Sequence, residues 1–173
     1  VVVRAPSVRG SGAGALSGFC LCVTVCGCRA STGSLRVRGG SGRHATQMGL
    51  TGSGLLDTDE VLLADIRDAG TMKAVFEATR PEVVFHAAAL KHLPLLESFP
   101  LEAWKSNVLG TLNVLTAAAA VGVGTFVNIS TDKAANPTCV LGYSKRMAER
   151  LTADLAHRWP GRYVSVRLRN VRR

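Results

Sequence analysis

From Leu55 onward, short apolar runs alternate with helical periods. Val61-Leu62-Leu63-Ala64 is a continuous apolar run ending at Asp65, the pattern of a strand buried on both faces. Met72, Val75, Phe76 and Thr79 recur at helical spacing and predict a helix over about Thr71 to Thr79, which Arg80-Pro81 ends. Val83-Val84-Phe85 predicts a second strand. A long helix is expected from Pro100 or Leu101 to about Val121, with Gly122 as its cap. Thr125 to Ile129 reads as a third strand, about Gly142 to Arg158 as another helix closed by Pro160-Gly161, and Tyr163 to Val166 as a last strand.

Strand, helix and strand repeated in this way predict an α/β fold: a parallel, Rossmann-like sheet with right-handed crossovers and helices on both faces. Such sheets bind ligands beyond the carboxyl ends of their strands. There the chain carries Asp65-Ile66-Arg67-Asp68, the run from His86 to His92, and Ser130-Thr131-Asp132-Lys133, so the polar clusters of this region fall on one rim.

Residues 1–43 follow a different pattern. They hold six Arg, no Lys and no acid, and nine of the 18 glycines. This is the composition of a GC-rich gene read out of frame, and the segment is expected to stand outside the native fold, leaving 44–173 as a partial domain. Residues 44–166 carry eleven basic and twelve acidic residues, and the last seven carry four Arg, so the net charge of +9 belongs to the two ends. A basic binding face on the folded body is therefore excluded, and with 5% aromatic residues no specific nucleic-acid partner is expected. The apolar run Phe19 to Cys28 is about half the length of a membrane span. No span is expected, and the chain reads as cytoplasmic.

The first segment carries two motifs with the look of ligand sites. Gly10-Ser11-Gly12-Ala13-Gly14-Ala15 has the spacing of a phosphate loop, but no amphipathic helix follows and no acid occurs before Asp57. Cys20, Cys22, Cys26 and Cys28 form a C-x-C-x3-C-x-C array, whereas zinc sites use wider pairs with a separated second pair. No metal site is expected.

The segments Ala64 to Asp68 (ADIRD), His86 to Glu97 (HAAALKHLPLLE), Asn107 to Val114 (NVLGTLNV), Ser130 to Thr138 (STDKAANPT) and Leu141 to Glu149 (LGYSKRMAE) resemble, in order and spacing, the CapD-like polysaccharide biosynthesis family. These are extended short-chain dehydrogenase/reductases of the inverting UDP-N-acetylglucosamine 4,6-dehydratase type, and the likeness covers about His44 to Arg167. It implies NADP (or NAD) as cofactor and a UDP-sugar substrate, with oxidation at C4 and elimination of water across C5 and C6. Lys133 is implied as the C5 base, Asp132 as the acid for C6, and Thr131 as a hydrogen bond to substrate. Lys145 corresponds to the lysine that holds the nicotinamide ribose. Asp65 and Ile66 correspond to an adenine contact, Ala87, Ala88 and Ala89 to a stretch where the backbone approaches the cofactor, and Asn107 to a structural Asn of the fold. Lys91 and His92 match without a derivable role, and His86 reads as a satisfied core histidine.

The family's tyrosine, four residues before this lysine, is replaced by Leu141. Tyr143 lies about 200° around the helix from Leu141 and is expected to point away from Lys145's face. The family's glycine-rich strand-loop-helix and its substrate-binding region have no convincing counterpart. The expectation is a truncated or frame-disturbed dehydratase core, weak in NADP binding and negligible in turnover by itself, with possible homo-oligomers. The alternatives are a non-catalytic remnant or partner of a full-length relative, and an NAD-dependent nucleotide-sugar epimerase.

Overall fold

A computed structural model describes residues 2–4, 20–24 and 61–169. Its strands are β1 (Val2–Arg4), β2 (Cys20–Thr24), β3 (Val61–Leu63), β4 (Val83–His86), β5 (Thr125–Thr131) and β6 (Arg162–Leu168). They form one sheet in the order β3-β1-β2-β4-β5-β6. β2, β4, β5 and β6 are parallel to one another, with His86 of β4 opposite Asn128 of β5. β1 runs antiparallel to both β2 and β3, so the sheet is parallel over four strands rather than throughout. Two strands thus come from the segment expected to stand outside the fold. Val2-Val3 and Cys20-Leu21-Cys22-Val23 are short apolar runs, which suit a sheet. The Gly10–Ala15 motif, Cys26, Cys28, His44 and the boundary at 43/44 lie outside the described residues.

The helices are α1 (Ala69–Thr79), α2 (Leu93–Ser98), α3 (Pro100–Ala103), α4 (Gly110–Ala120) and α5 (Val140–Arg158). Asp68 caps α1 by accepting from the Gly70 and Thr71 amides, and Arg80, in a left-handed conformation at φ 40°, closes it through a bond to the Phe76 carbonyl. A π-helical turn, Trp104–Leu109, joins α3 to α4, so the expected long helix is continuous but locally widened. Gly122, at φ 75°, makes the left-handed turn that follows α4. Helix α2, ahead of Pro100, was not expected.

Alternation along β4 and β5 turns Val84, His86, Phe126, Asn128 and Ser130 to one face. Against it pack Met72 and Phe76 of α1, Val114 and Leu115 of α4, and Leu155 of α5, forming one apolar core. Phe126 and Tyr163 stack across β5 and β6 with centroids 5.5 Å apart. Burying side chains of this size stabilises by about 1.5–3 kcal/mol each. These helices pack on this face, and Phe85 and Val166 on the other face are exposed.

Candidate active site

The sheet brings most of the residues singled out in the sequence to the carboxyl ends of β3, β4 and β5. Beyond β3, both Asp65 oxygens accept from Arg67, through its amide at 2.9 Å and its guanidinium at 2.9–3.2 Å. That guanidinium holds the Asp65 carboxyl below the usual range. The Ile66 side chain is buried beneath α4, and a Cβ on Gly110 would stand 2.6 Å from its Cδ1. The absence of a Cβ at Gly110 allows this close approach, and the Ile66 carbonyl accepts from Asn113 Nδ2 at 3.0 Å.

Beyond β4, Ala88 is buried and Ala87 and Ala89 are half-buried, so this stretch presents little besides backbone. Asn107 of the π turn ties the end of the stretch down. Its Oδ1 accepts from the Leu90 amide at 2.7 Å, and its Nδ2 donates to the Leu90 carbonyl at 3.1 Å and to Ser144 Oγ at 3.0 Å. Ser144 in turn donates to the Leu141 carbonyl. An interior Asn with three short bonds acts as a clamp between the β4 loop and the first turn of α5. π turns recur at functional positions, and no local sequence signal marks this one.

β5 extends through Ser130 and Thr131, two residues further than the apolar run indicated, and ends in a 3-10 turn, Asp132–Ala134. Thr131 Oγ1 donates to Asp132 Oδ1 at 3.0 Å, and Lys133 Nζ lies 3.5 Å from the same oxygen. The Thr131 hydroxyl, aided by Lys133, holds the Asp132 carboxyl below its ordinary range. Gly142 of α5 seats against this turn, since a Cβ there would lie 2.7 Å from the Lys133 carbonyl.

Lys145, one helical turn into α5, is 6% exposed and donates to the Ile129 carbonyl at 2.8 Å. Burial lowers its pKa from 10.5 to about 8, against an opposing pull from Glu149. Leu141 is buried in a small apolar cluster with Leu96 and Ala103, whereas Tyr143 is exposed. The tyrosine therefore lies away from Lys145, as helical geometry predicted.

Three features escaped the sequence reading. His86 is fully buried at the end of β4 with Nε2 2.9 Å from Thr111 Oγ1, but its Nδ1 lacks a partner among the described residues, so it is only half satisfied. Asn128 bonds Thr152 and Ser165 through Nδ2. Glu149 accepts from Ser130 at 2.7 Å and from Arg167 at 2.7–2.8 Å, joining α5 to β5 and β6; the Arg167 guanidinium lowers its pKa. Partners 18 or more residues apart leave no local pattern to read. A cavity of about 180 Å³ between Val123, Trp159, Gly161 and Tyr163 lies at the opposite, amino-terminal end of β5 and β6 and has no part in the rim. Among the described residues no three metal-ligating side chains converge, and no helix is long and apolar enough to cross a membrane.

The sequence pattern of the family described as "Polysaccharide biosynthesis protein" matches residues 22–172. The chain is similar to the probable polysaccharide biosynthesis protein EpsC of Bacillus subtilis, at 46% identity over 63% of this chain and 18% of that protein. It is 48% identical to a UDP-glucose 4-epimerase of Rickettsia canadensis over 50% of this chain and 26% of that protein. The chain thus spans about a fifth to a quarter of the length of these relatives. Among solved structures, UDP-glucose 4-epimerase of Brucella ovis in complex with NAD superposes with a TM-score of 0.60 at 25% identity, covering 63% of this chain and 38% of that one.

Proposed function

The chain belongs to the polysaccharide biosynthesis protein family, and on that premise we propose that it is the core of an NADP-dependent nucleotide-sugar 4,6-dehydratase acting on UDP-N-acetylglucosamine in the cytoplasm. The observation that carries the reading is the grouping of Thr131, Asp132, Lys133 and the buried Lys145 at one strand end, beside the side-chain-poor stretch Ala87–Ala89.

The residues at the rim fit a nicotinamide dinucleotide in part. Ala87–Ala89 leaves room for one, Lys145 would hold the nicotinamide ribose, and Asp65 with the Ile66 backbone would meet the adenine, while the Gly10–Ala15 loop lies outside the described residues. When bound, the dinucleotide supplies a hydride acceptor for the sugar.

The family resemblance gives the base role to Lys133 and the acid role to Asp132. Lys133 must be neutral to take the C5 proton, and Asp132 must be protonated to give one to the C6 hydroxyl. The resting pair holds the opposite charge states, so a proton must pass from Lys133 to Asp132 across their 3.5 Å contact, against the pull of Thr131 and Lys133 on the carboxylate, before either group acts. Once Lys133 has taken the C5 proton and Asp132 has protonated the C6 hydroxyl as it leaves as water, the resting ion pair is restored. Leu141, packed in its own cluster, offers no acceptor for the C4 hydroxyl proton.

NADPH fluorescence titration of the purified chain tests the reading. Weak binding that Lys145→Met weakens at least several-fold, with negligible turnover of UDP-N-acetylglucosamine, is expected; equal binding by the variant refutes the site. The second reading, a nucleotide-sugar epimerase, is favoured by the Rickettsia relative. Mass spectrometry separates the two, since dehydration removes a water from the sugar and epimerisation leaves its mass unchanged.

A further inference from the structure

Two buried polar atoms have no hydrogen-bond partner among the described residues: His86 Nδ1 and Asn128 Oδ1. Their residues are opposite one another on β4 and β5, fully buried, and both project toward the helices, where His86 meets Thr111 and Asn128 meets Thr152. The neighbours settle which way each group bonds. Thr111 gives its only hydroxyl proton to the Asn107 carbonyl at 2.7 Å, so toward His86 it can only accept. His86 therefore carries its proton on Nε2. Burial and the nearby Lys145 charge push the His86 pKa down to about 3, so the ring is neutral and Nδ1 is a bare acceptor.

The same reasoning applies across the strand pair. Thr152 gives its proton to the Ala148 carbonyl at 2.8 Å, so Asn128 must turn Nδ2 toward it, leaving Oδ1 as an acceptor. Two acceptors on adjacent strands, about 5 Å apart in the hydrogen-bonding direction, cannot bond each other. A buried acceptor left unmatched forfeits the hydrogen bonds that water gave it in the unfolded chain. Lys145 has three N–H donors and, among the described residues, a single acceptor, the Ile129 carbonyl, and neither lone acceptor lies within hydrogen-bond distance of its Nζ. The unmatched acceptors of β4 and β5 and the unmatched donors of Lys145 thus stand on the same helix-covered side of the sheet, and the Lys145 charge is close enough to act on His86.

We propose that a single buried water molecule bridges them, donating its two protons to His86 Nδ1 and Asn128 Oδ1 and accepting one from Lys145 Nζ. Three hydrogen bonds are the usual complement of an internal water. His86 and Asn128 are then positioning residues: through the water they fix the Lys145 ammonium at the strand end. The charged group acting on Lys145 is Glu149 on its own helix, which itself pairs with Arg146 and with Arg167 of β6. The inference stands apart from the reaction assigned to the rim, and its test does not use turnover.

Water-17O magnetic relaxation dispersion on the full chain counts long-lived internal waters. His86→Phe and Asn128→Leu are each expected to lose one such water, and the double variant to lose the same single water. The Lys145 Cε titration, followed by NMR, is expected to move to lower pH in each variant. Unchanged water counts in both single variants overturn the proposal, as does a loss of two waters in the double variant. Imidazole 15N shifts of the unmodified chain give a second reading that needs no variant. A neutral Nε2–H tautomer is expected; the Nδ1–H tautomer, or a scalar coupling across a direct Lys145–His86 hydrogen bond, sinks the bridge.

Discussion

Replacing Asn107 with Ala removes one side chain that serves two elements. Three hydrogen bonds are lost: two to the Leu90 backbone and one to Ser144. Leu90 is half-buried, so its stranded N–H and C=O each cost near the low end of the usual penalty, about 1 kcal/mol. Ser144 keeps its donation to the Leu141 carbonyl and loses only an incoming bond, a further ~0.5–1 kcal/mol. The expected destabilisation is about 3 kcal/mol, a large fraction of the ~5–15 kcal/mol typical of a domain. Urea unfolding followed by circular dichroism reads it as a fall in midpoint at constant slope. Asn107→Asp sharpens the test. It retains an acceptor for the Leu90 amide but turns an oxygen toward the Leu90 carbonyl, so it should be no more stable than the Ala variant at neutral pH. A loss below about 1 kcal/mol for Ala, or a clear rescue by Asp, would refute the clamp.

Other perturbations address the rim and its ionisation. His86 stays neutral in the fold down to about pH 3 but takes up a proton near 6.5 when unfolded, so its contribution to stability is fully present above pH 6.5 and is lost as pH falls toward 3. His86→Phe should flatten unfolding free energy between pH 6.5 and 4.5 by up to ~1.4 kcal/mol per pH unit; a parallel profile contradicts the burial argument. Lys145 is depressed from 10.5 to about 8, so the native chain gives up this proton before the unfolded one, and stability from this source rises with pH across that interval. Lys145→Met should abolish the rise, as alkaline urea titrations would reveal. Gly142→Ala places a Cβ 2.7 Å from the Lys133 carbonyl, and overpacking of this kind costs about 1–3 kcal/mol. NMR shifts should move first at Asp132–Ala134, and an unperturbed turn would argue against the close seating of α5. Glu149→Gln should loosen Ser130 and Arg167 and raise amide exchange at the ends of β5 and β6; unchanged exchange would show that the carboxylate is not what joins them.

Much of the fold is legible in the chain because strand and helix periods are local. The run at Val61, the helical spacing from Met72 to Thr79 and the β-branched and apolar residues from Thr125 to Ile129 each specify an element from a few neighbouring residues. The rim followed from topology, since parallel strands place Asp65, Ala87–Ala89 and Thr131–Lys133 at the same ends. Tyr143 was placed correctly on the exposed side by helical angle alone.

What tertiary structure decided are the contacts between residues far apart in the chain. No periodicity pairs Asn107 with Leu90 and Ser144, or Glu149 with Ser130 and Arg167. The proton on His86 is likewise set by a threonine 25 residues away, and the lowered pKa of Lys145 by the burial that packing creates. The antiparallel entry of β1, and the part that short apolar runs within 1–43 take in the sheet, also depend on which strand edges stand open beside them. Local sequence determines where elements form and which end of the sheet bears the polar residues. Proton positions, charge states and clamps belong to the assembled fold, because burial and long-range hydrogen bonding exist only once the elements have packed.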